Sequence, residues 1–135
     1  AQVASILERK LGSLLGKRIL ILGLSFKPGT DDVRESPSLR LIPDFVARGA
    51  TVFAHDPVAI EPFRDMLGSN FEGASFVENW ENIIPKIDVI VLATAWEEYL
   101  RLAKLDIAGK TVFDCRSYLI EKNLDVLNYF EIGSV

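Results

Sequence analysis

The sequence is poor in several residues that usually carry chemistry. A single cysteine, Cys115, rules out an internal disulfide. With no disulfide framework, a reducing compartment is the default expectation. His55 is the only histidine, and no second His or Cys stands at ligand spacing, so no metal site is read. Long hydrophobic runs are missing. Val89-Ile90-Val91-Leu92-Ala93 is typical of the longest, far short of the roughly 20 residues of a membrane-spanning helix. Ala1-Gln2-Val3-Ala4-Ser5 has no signal-peptide layout, so the expected location is cytoplasmic, with no membrane partner. The first residue is not methionine, which is read as a fragment boundary. Positive charge is also short, with 15 Lys and Arg against 19 Asp and Glu and a net charge of -4. That argues against nucleic acid, which needs a basic face. It leaves room for a local basic pocket holding one small anion.

What is present is an ordinary globular composition. The chain has 135 residues, 49% hydrophobic and 25% charged, which is one domain with enough length for a real core. Val3, Ile6, Leu7, Leu11, Leu14 and Leu15 recur at helical spacing until Gly16, predicting an amphipathic helix. Arg18-Ile19-Leu20-Ile21-Leu22-Gly23 is short and almost wholly apolar, as in a strand buried on both faces. A long polar loop, 24–35, follows. Ser36-Pro37 reads as N-cap and first helical residue of a helix that runs to Gly49 across Pro43, where a local kink is expected. Strands are expected at Thr51–Ala54, Ala74–Val77, Asp88–Ala93 and, as the last, Thr111–Asp114. Short helices are expected at Ile60–Leu67, Trp80–Ile84 and Glu97–Leu102. This alternation predicts an α/β, Rossmann-like three-layer sandwich with a mostly parallel sheet behind an N-terminal helix.

In such a sheet ligands sit beyond the carboxyl ends of the strands. The pattern therefore places Lys27, Arg34, Asp56, Trp96 and Arg116 on one rim. The first loop opens like a dinucleotide fingerprint, but G-x-G-x-x-G is absent. Ser25 and Phe26 stand where backbone must approach a pyrophosphate closely. Asp56 follows the second strand where a ribose contact is expected, although Asp-Pro is also a common turn. The expectation is a Rossmann-like domain that does not hold NAD in the usual way. Trp80 and Trp96 read as packing residues, and His55 as a strand-end polar residue.

Gly23-Leu24-Ser25-Phe26-Lys27-Pro28-Gly29-Thr30-Asp31-Asp32-Val33-Arg34-Glu35-Ser36-Pro37 resembles the loop that opens the C-terminal domain of the UDP-glucose/GDP-mannose dehydrogenase family. Asp114-Cys115-Arg116-Ser117 stands where that family has an Asp-Gly-Arg-Asn type motif. Tyr129-Phe130-Glu131-Ile132-Gly133 resembles its C-terminal end. The resemblance covers nearly the whole chain. It implies that residues 1–16 are the end of an interdomain helix and residues 17–135 a nucleotide-sugar-binding domain. By the same resemblance Phe26 and Lys27 contact the nucleotide and Arg116 faces the nucleotide-sugar. Asp31, Asp32, Arg34 and Glu35 are read as bracing the loop through hydrogen bonds and ion pairs.

Two departures from the family pattern matter: Cys115 replaces Gly and Ser117 replaces Asn. If the Gly is needed for a positive φ, Cys115 strains the turn and re-aims Arg116. The family oxidises the sugar C6 alcohol to a carboxylate with NAD, through a cysteine and a G-x-G-x-x-G that lie in earlier domains. The expectation is therefore a UDP-sugar-binding domain, UDP-glucose favoured, of an NAD-dependent oxidoreductase serving polysaccharide biosynthesis. By itself it is inactive, has no catalytic residue, and partners the N-terminal and central domains of a homo-oligomeric enzyme. GDP-mannose or a UDP-N-acetylhexosamine stay open as substrates. So does a purely assembly role without independent ligand affinity, acting through the Val3-to-Leu15 helix face.

Overall fold

The computed structural model describes residues 2–68 and 71–131. Ile132 and Gly133, expected to resemble the family's C-terminal end, lie outside them. Six strands form one sheet in the order β3-β2-β1-β4-β5-β6, and every pairing is parallel. They are β1 (Arg18–Leu22), β2 (Thr51–His55), β3 (Ala74–Phe76), β4 (Val89–Leu92), β5 (Thr111–Asp114) and β6 (Asn128–Glu131). The order reverses between β1 and β4, which is the doubly wound switch point.

Two cores sandwich the sheet, and strand alternation builds both. Ile19, Ile21, Val52, Val89, Val91 and Phe113 face one side. There they meet the helices α1 (Gln2–Leu11), α2 (Ser38–Ala47) and α3 (Ile60–Leu67). Leu20, Leu22, Ile90, Leu92 and Val112 face the other. That face is covered by two 3-10 helices, Glu81–Lys86 and Glu97–Lys104, which bring in Ile84, Tyr99 and Leu102.

α1 stops four residues before the expected Gly16. Gly12 takes a left-handed φ of 87°, and its N–H donates to the Glu8 carbonyl at 2.9 Å, a glycine C-cap. Leu14 is still buried, while Leu15 turns out to solvent at 75% exposure. Most of the apolar face of α1 is spent inside the domain. Val3, Ala4, Ile6 and Leu7 are buried in the domain's own core. Arg48, just after α2, ties the two helices together through Asp44, the Ser5 hydroxyl and the Glu8 carboxylate.

α2 runs through Pro43 in one piece. Pro37 already has helical angles, and the Ser36 hydroxyl accepts from the Ser38 N–H at 3.2 Å. The last strand is not β5 but β6. Its Phe130 packs near Phe113 on the helical face, and Tyr129 packs on the opposite one. Four residues of Asn-Tyr-Phe-Glu after a polar stretch are too short for the alternation to announce a strand.

Leu7→Ala should lose about 2–4 kcal/mol of unfolding free energy in a denaturant titration, as a fully buried leucine does. A loss under about 0.5 kcal/mol would mean that α1 is not part of the core.

Candidate functional site

The register lines the strand ends up in a row: Leu22 pairs with His55 and Leu92, and Leu92 with Asp114. The next residues, Gly23, Asp56, Ala93 and Cys115, therefore form one rim. At its centre is Asp56, which is buried. Its Oδ2 accepts from the Leu24 N–H at 2.8 Å, the Ser25 N–H at 2.9 Å, the Ser25 hydroxyl at 3.1 Å and the Trp96 indole at 3.2 Å. Its Oδ1 accepts from the N–H groups of Val58 and Ala59, at the start of α3.

The loops after β1 and β4 are locked to each other as well. The Thr94 hydroxyl donates to the Ser25 carbonyl at 2.8 Å. A Cβ built on Gly23 would lie 2.4 Å from Thr94 Cβ, so only glycine admits this approach. The Ser38 hydroxyl donates to the Gly23 carbonyl at 2.8 Å, fixing α2 behind the loop. Sequence reasoning took Ser25 as an obstruction and Trp96 as packing. Both are hydrogen-bonding members of this cluster, and the only signal was an acid after β2 facing a serine after β1.

Beyond the cluster the loop turns outward. Phe26 is 40% exposed, and Lys27 is exposed, with no hydrogen bond or ion pair among the described residues. Arg116 reaches across from β5. Its Nε donates to the Ala93 carbonyl and its Nη2 to the Phe26 carbonyl, each at 3.1 Å. Arg116 thus meets the backbone of the loop that carries Phe26 and Lys27. Arg116 also borders an open cleft of about 610 Å³ with Glu35, Pro37, Arg40 and Cys115, while Phe26 lines a shallower hollow beside Asp32 and Arg34.

Within the loop, Asp32 holds Arg34 through both side-chain oxygens, at 3.0 and 2.9 Å, and also takes the Arg34 N–H. These bonds to Arg34 are the main reason its carboxyl drops to about 2. The Phe26 N–H donates to the Asp32 carbonyl at 2.7 Å. Asp31 is exposed, and Glu35 is exposed with a left-handed φ of 63°. His55 points its Nδ1 at the Tyr99 hydroxyl, 2.8 Å away, and that hydroxyl donates to the His55 carbonyl. Burial holds the imidazole below its usual range. Among the described residues no three His, Cys, Asp or Glu side chains are placed to hold a metal, and no helix is long and apolar enough to cross a membrane.

The model for the UDP-binding domain of the UDP-glucose/GDP-mannose dehydrogenase family matches residues 20–121. The chain belongs to this family. It is 38% identical over 96 residues to a UDP-glucose 6-dehydrogenase of Haloferax volcanii, covering 71% of this chain and 21% of that protein. A UDP-glucose 6-dehydrogenase of Rickettsia typhi is 33% identical over 142 residues, covering 99% of this chain and 31% of the relative. Among solved structures, a UDP-glucose dehydrogenase from Pyrobaculum islandicum superposes with a TM-score of 0.77 at 36% identity, over 93% of this chain and 27% of that one. A shikimate dehydrogenase from Aquifex aeolicus, at 20% identity and a TM-score of 0.58 over 93% of this chain and 47% of that one, shares the fold alone. The chain thus spans under a third of the length of these UDP-glucose dehydrogenases.

The family-motif departures resolve differently from expectation. Cys115 has no positive φ; the left-handed residue is Ser117, at φ 52°. The turn is held by Asp114, whose Oδ1 accepts from the Arg116 N–H at 3.0 Å. Its Oδ2 accepts from the Leu119 N–H and the Tyr129 hydroxyl, each at 2.7 Å. The position the family fills with Asn is the one that needs the left-handed conformation, which Asn tolerates better than Ser. Ser117→Asn should raise stability by about 0.5–1 kcal/mol in thermal or chemical unfolding, and a loss would contradict this assignment. Burial, with the Asp114 carboxylate next to it, pushes the Cys115 thiol up to about 12. At pH 8, iodoacetamide should alkylate Cys115 at least about a hundredfold more slowly in the folded chain than in the unfolded one. Equal rates would show a thiolate that this environment does not allow.

Proposed function

We propose that this chain is the UDP-sugar-binding part of an NAD-dependent UDP-sugar 6-dehydrogenase, with UDP-glucose as the sugar nucleotide. The observation that supports the reading is the Arg116 Nη2 on the Phe26 carbonyl, which joins the arginine after β5 to the loop that carries Phe26 and Lys27. The exposed Phe26 ring offers an apolar face to a base, and the Lys27 ammonium is a mobile cation for a diphosphate. Arg116 has five N–H donors and uses two, Nε and one on Nη2, to brace the loops. Its side-on fork through Nε is therefore closed, and its three remaining N–H donors, on Nη1 and Nη2, are left for a phosphate.

A dinucleotide does not fit the mouth of β1 in the usual manner. The Leu24 and Ser25 amides that would cradle its diphosphate already donate to Asp56. In this reading NAD would be held by a preceding domain, and two NAD in turn would supply the hydride acceptors for the four-electron oxidation of the C6 alcohol, with water, to a carboxylate. This chain supplies binding and orientation, and its protonated Cys115 is not the nucleophile. The UDP-glucose dehydrogenases among the relatives, at 36–38% identity, favour glucose over mannose or N-acetylhexosamine. The other domains of the same enzyme, in a homo-oligomer, are its partners, and the cytoplasm is its place.

Calorimetric titration of the chain with UDP, GDP and NAD tests this. UDP should bind saturably and NAD should not, and Lys27→Ala should weaken UDP by about fivefold to tenfold, the worth of one charge-assisted contact. Saturable NAD binding with UDP silent would overturn the reading.

A further inference from the structure

We propose that Asp56 is the positioning residue of the Phe26–Lys27 loop, a carboxylate built into the fold that takes the place a nucleotide phosphate holds at the switch point of other doubly wound sheets. The proposal rests, for its functional consequence, on the UDP-sugar reading above. In such sheets the backbone N–H groups just after β1 face an anion from a bound cofactor. Here those of Leu24 and Ser25 face Asp56 instead, with the Ser25 hydroxyl and the Trp96 indole on the same oxygen. The anion comes from the end of β2, so it is present whether or not a ligand is.

The geometry makes the carboxylate hard to replace. Oδ2 serves the β1 loop and the β4 turn, and Oδ1 serves the start of α3. An asparagine has one acceptor oxygen, so whichever way it turns, one of these donor sets faces an NH₂ group. The register of the ligand-facing residues follows from this anchor. Leu24 and Ser25 are tied to Asp56, the Ser25 carbonyl to Thr94, and the Phe26 backbone to Asp32 and Arg116. Phe26 and Lys27 are then the first side chains to leave the cluster for solvent, on a loop whose backbone Arg116 holds. The buried negative charge also disfavours a second anion at the mouth of β1, and directs a diphosphate outward to the Lys27–Arg116 rim.

The test compares wild type with Asp56→Asn and with Ile107→Ala, a truncation of a buried residue near the amino end of β5, away from the rim. Amide exchange at Leu24 and Ser25, indole exchange at Trp96 and the affinity for UDP are measured in each. Exchange is also followed at the Val58 and Ala59 amides, the second donor set. Asp56→Asn should lose protection at whichever of the two sets faces its NH₂ group and bind UDP about tenfold or more weakly, the scale of a misplaced binding group. Ile107→Ala should keep protection and affinity despite a lowered melting temperature. Wild-type protection and affinity in Asp56→Asn would overturn the proposal. So would an equal loss of UDP affinity in Ile107→Ala, which would trace the effect to global stability. If wild type binds no UDP, the substrate reading fails on its own. The exchange data then decide on Asp56: protection lost in Asp56→Asn alone supports it, and protection kept there overturns it.

Discussion

The Asp56 carboxylate is the junction on which the carboxyl rim depends. Six donors from the β1 loop, the β4 turn and the start of α3 converge on its two oxygens. A buried carboxylate is costly unless its lone pairs are satisfied, and buried backbone amides are costly unless they find acceptors. Each half of this arrangement answers the need of the other. Three segments far apart in sequence are thereby fixed at the switch point, where an open α/β sheet ordinarily leaves a crevice. Asp114 repeats the device on a smaller scale at the end of β5, closing the turn that carries Arg116 and holding β6 through Tyr129.

The rim therefore separates scaffold from surface. Residues from Ile19 to Ser25 are buried, and residues from Phe26 onward are exposed or half-buried until the loop returns to the core at Val33. Arg116 belongs to both, since part of its guanidinium braces the loops and part faces outward. A group of that kind aims well because its rotamer is already chosen, and little freedom remains to be lost on binding.

Much of the architecture was legible in the residues. Runs such as Ile19–Leu22 and Val89–Leu92 are apolar on every residue, which only a strand covered on both faces requires, and the gaps between them fit crossovers. The misses have local causes. Gly12 and Gly16 are equivalent as letters, and Gly12 ends α1 because its N–H finds the Glu8 carbonyl. β6 is four half-buried residues with no long alternation to betray it. The short segments Glu81–Lys86 and Glu97–Lys104 read as helices, and their 3-10 winding is a packing outcome. At the site, the loop motif marked Phe26 and Lys27, whereas the roles of Ser25, Thr94 and Trp96 arise only from pairing between segments about 70 residues apart. The concern over Cys115 fell on the wrong residue for a similar reason. Which position of a turn needs a left-handed backbone depends on where Asp114 places its hydrogen bonds.

The most direct measurement is a crystal structure of this chain with UDP bound. The account predicts the diphosphate within hydrogen-bonding distance of Lys27 Nζ and the outer nitrogens of Arg116, with Asp56 still holding the Leu24 and Ser25 amides. A diphosphate seated on those two amides, with Asp56 turned away, would contradict it.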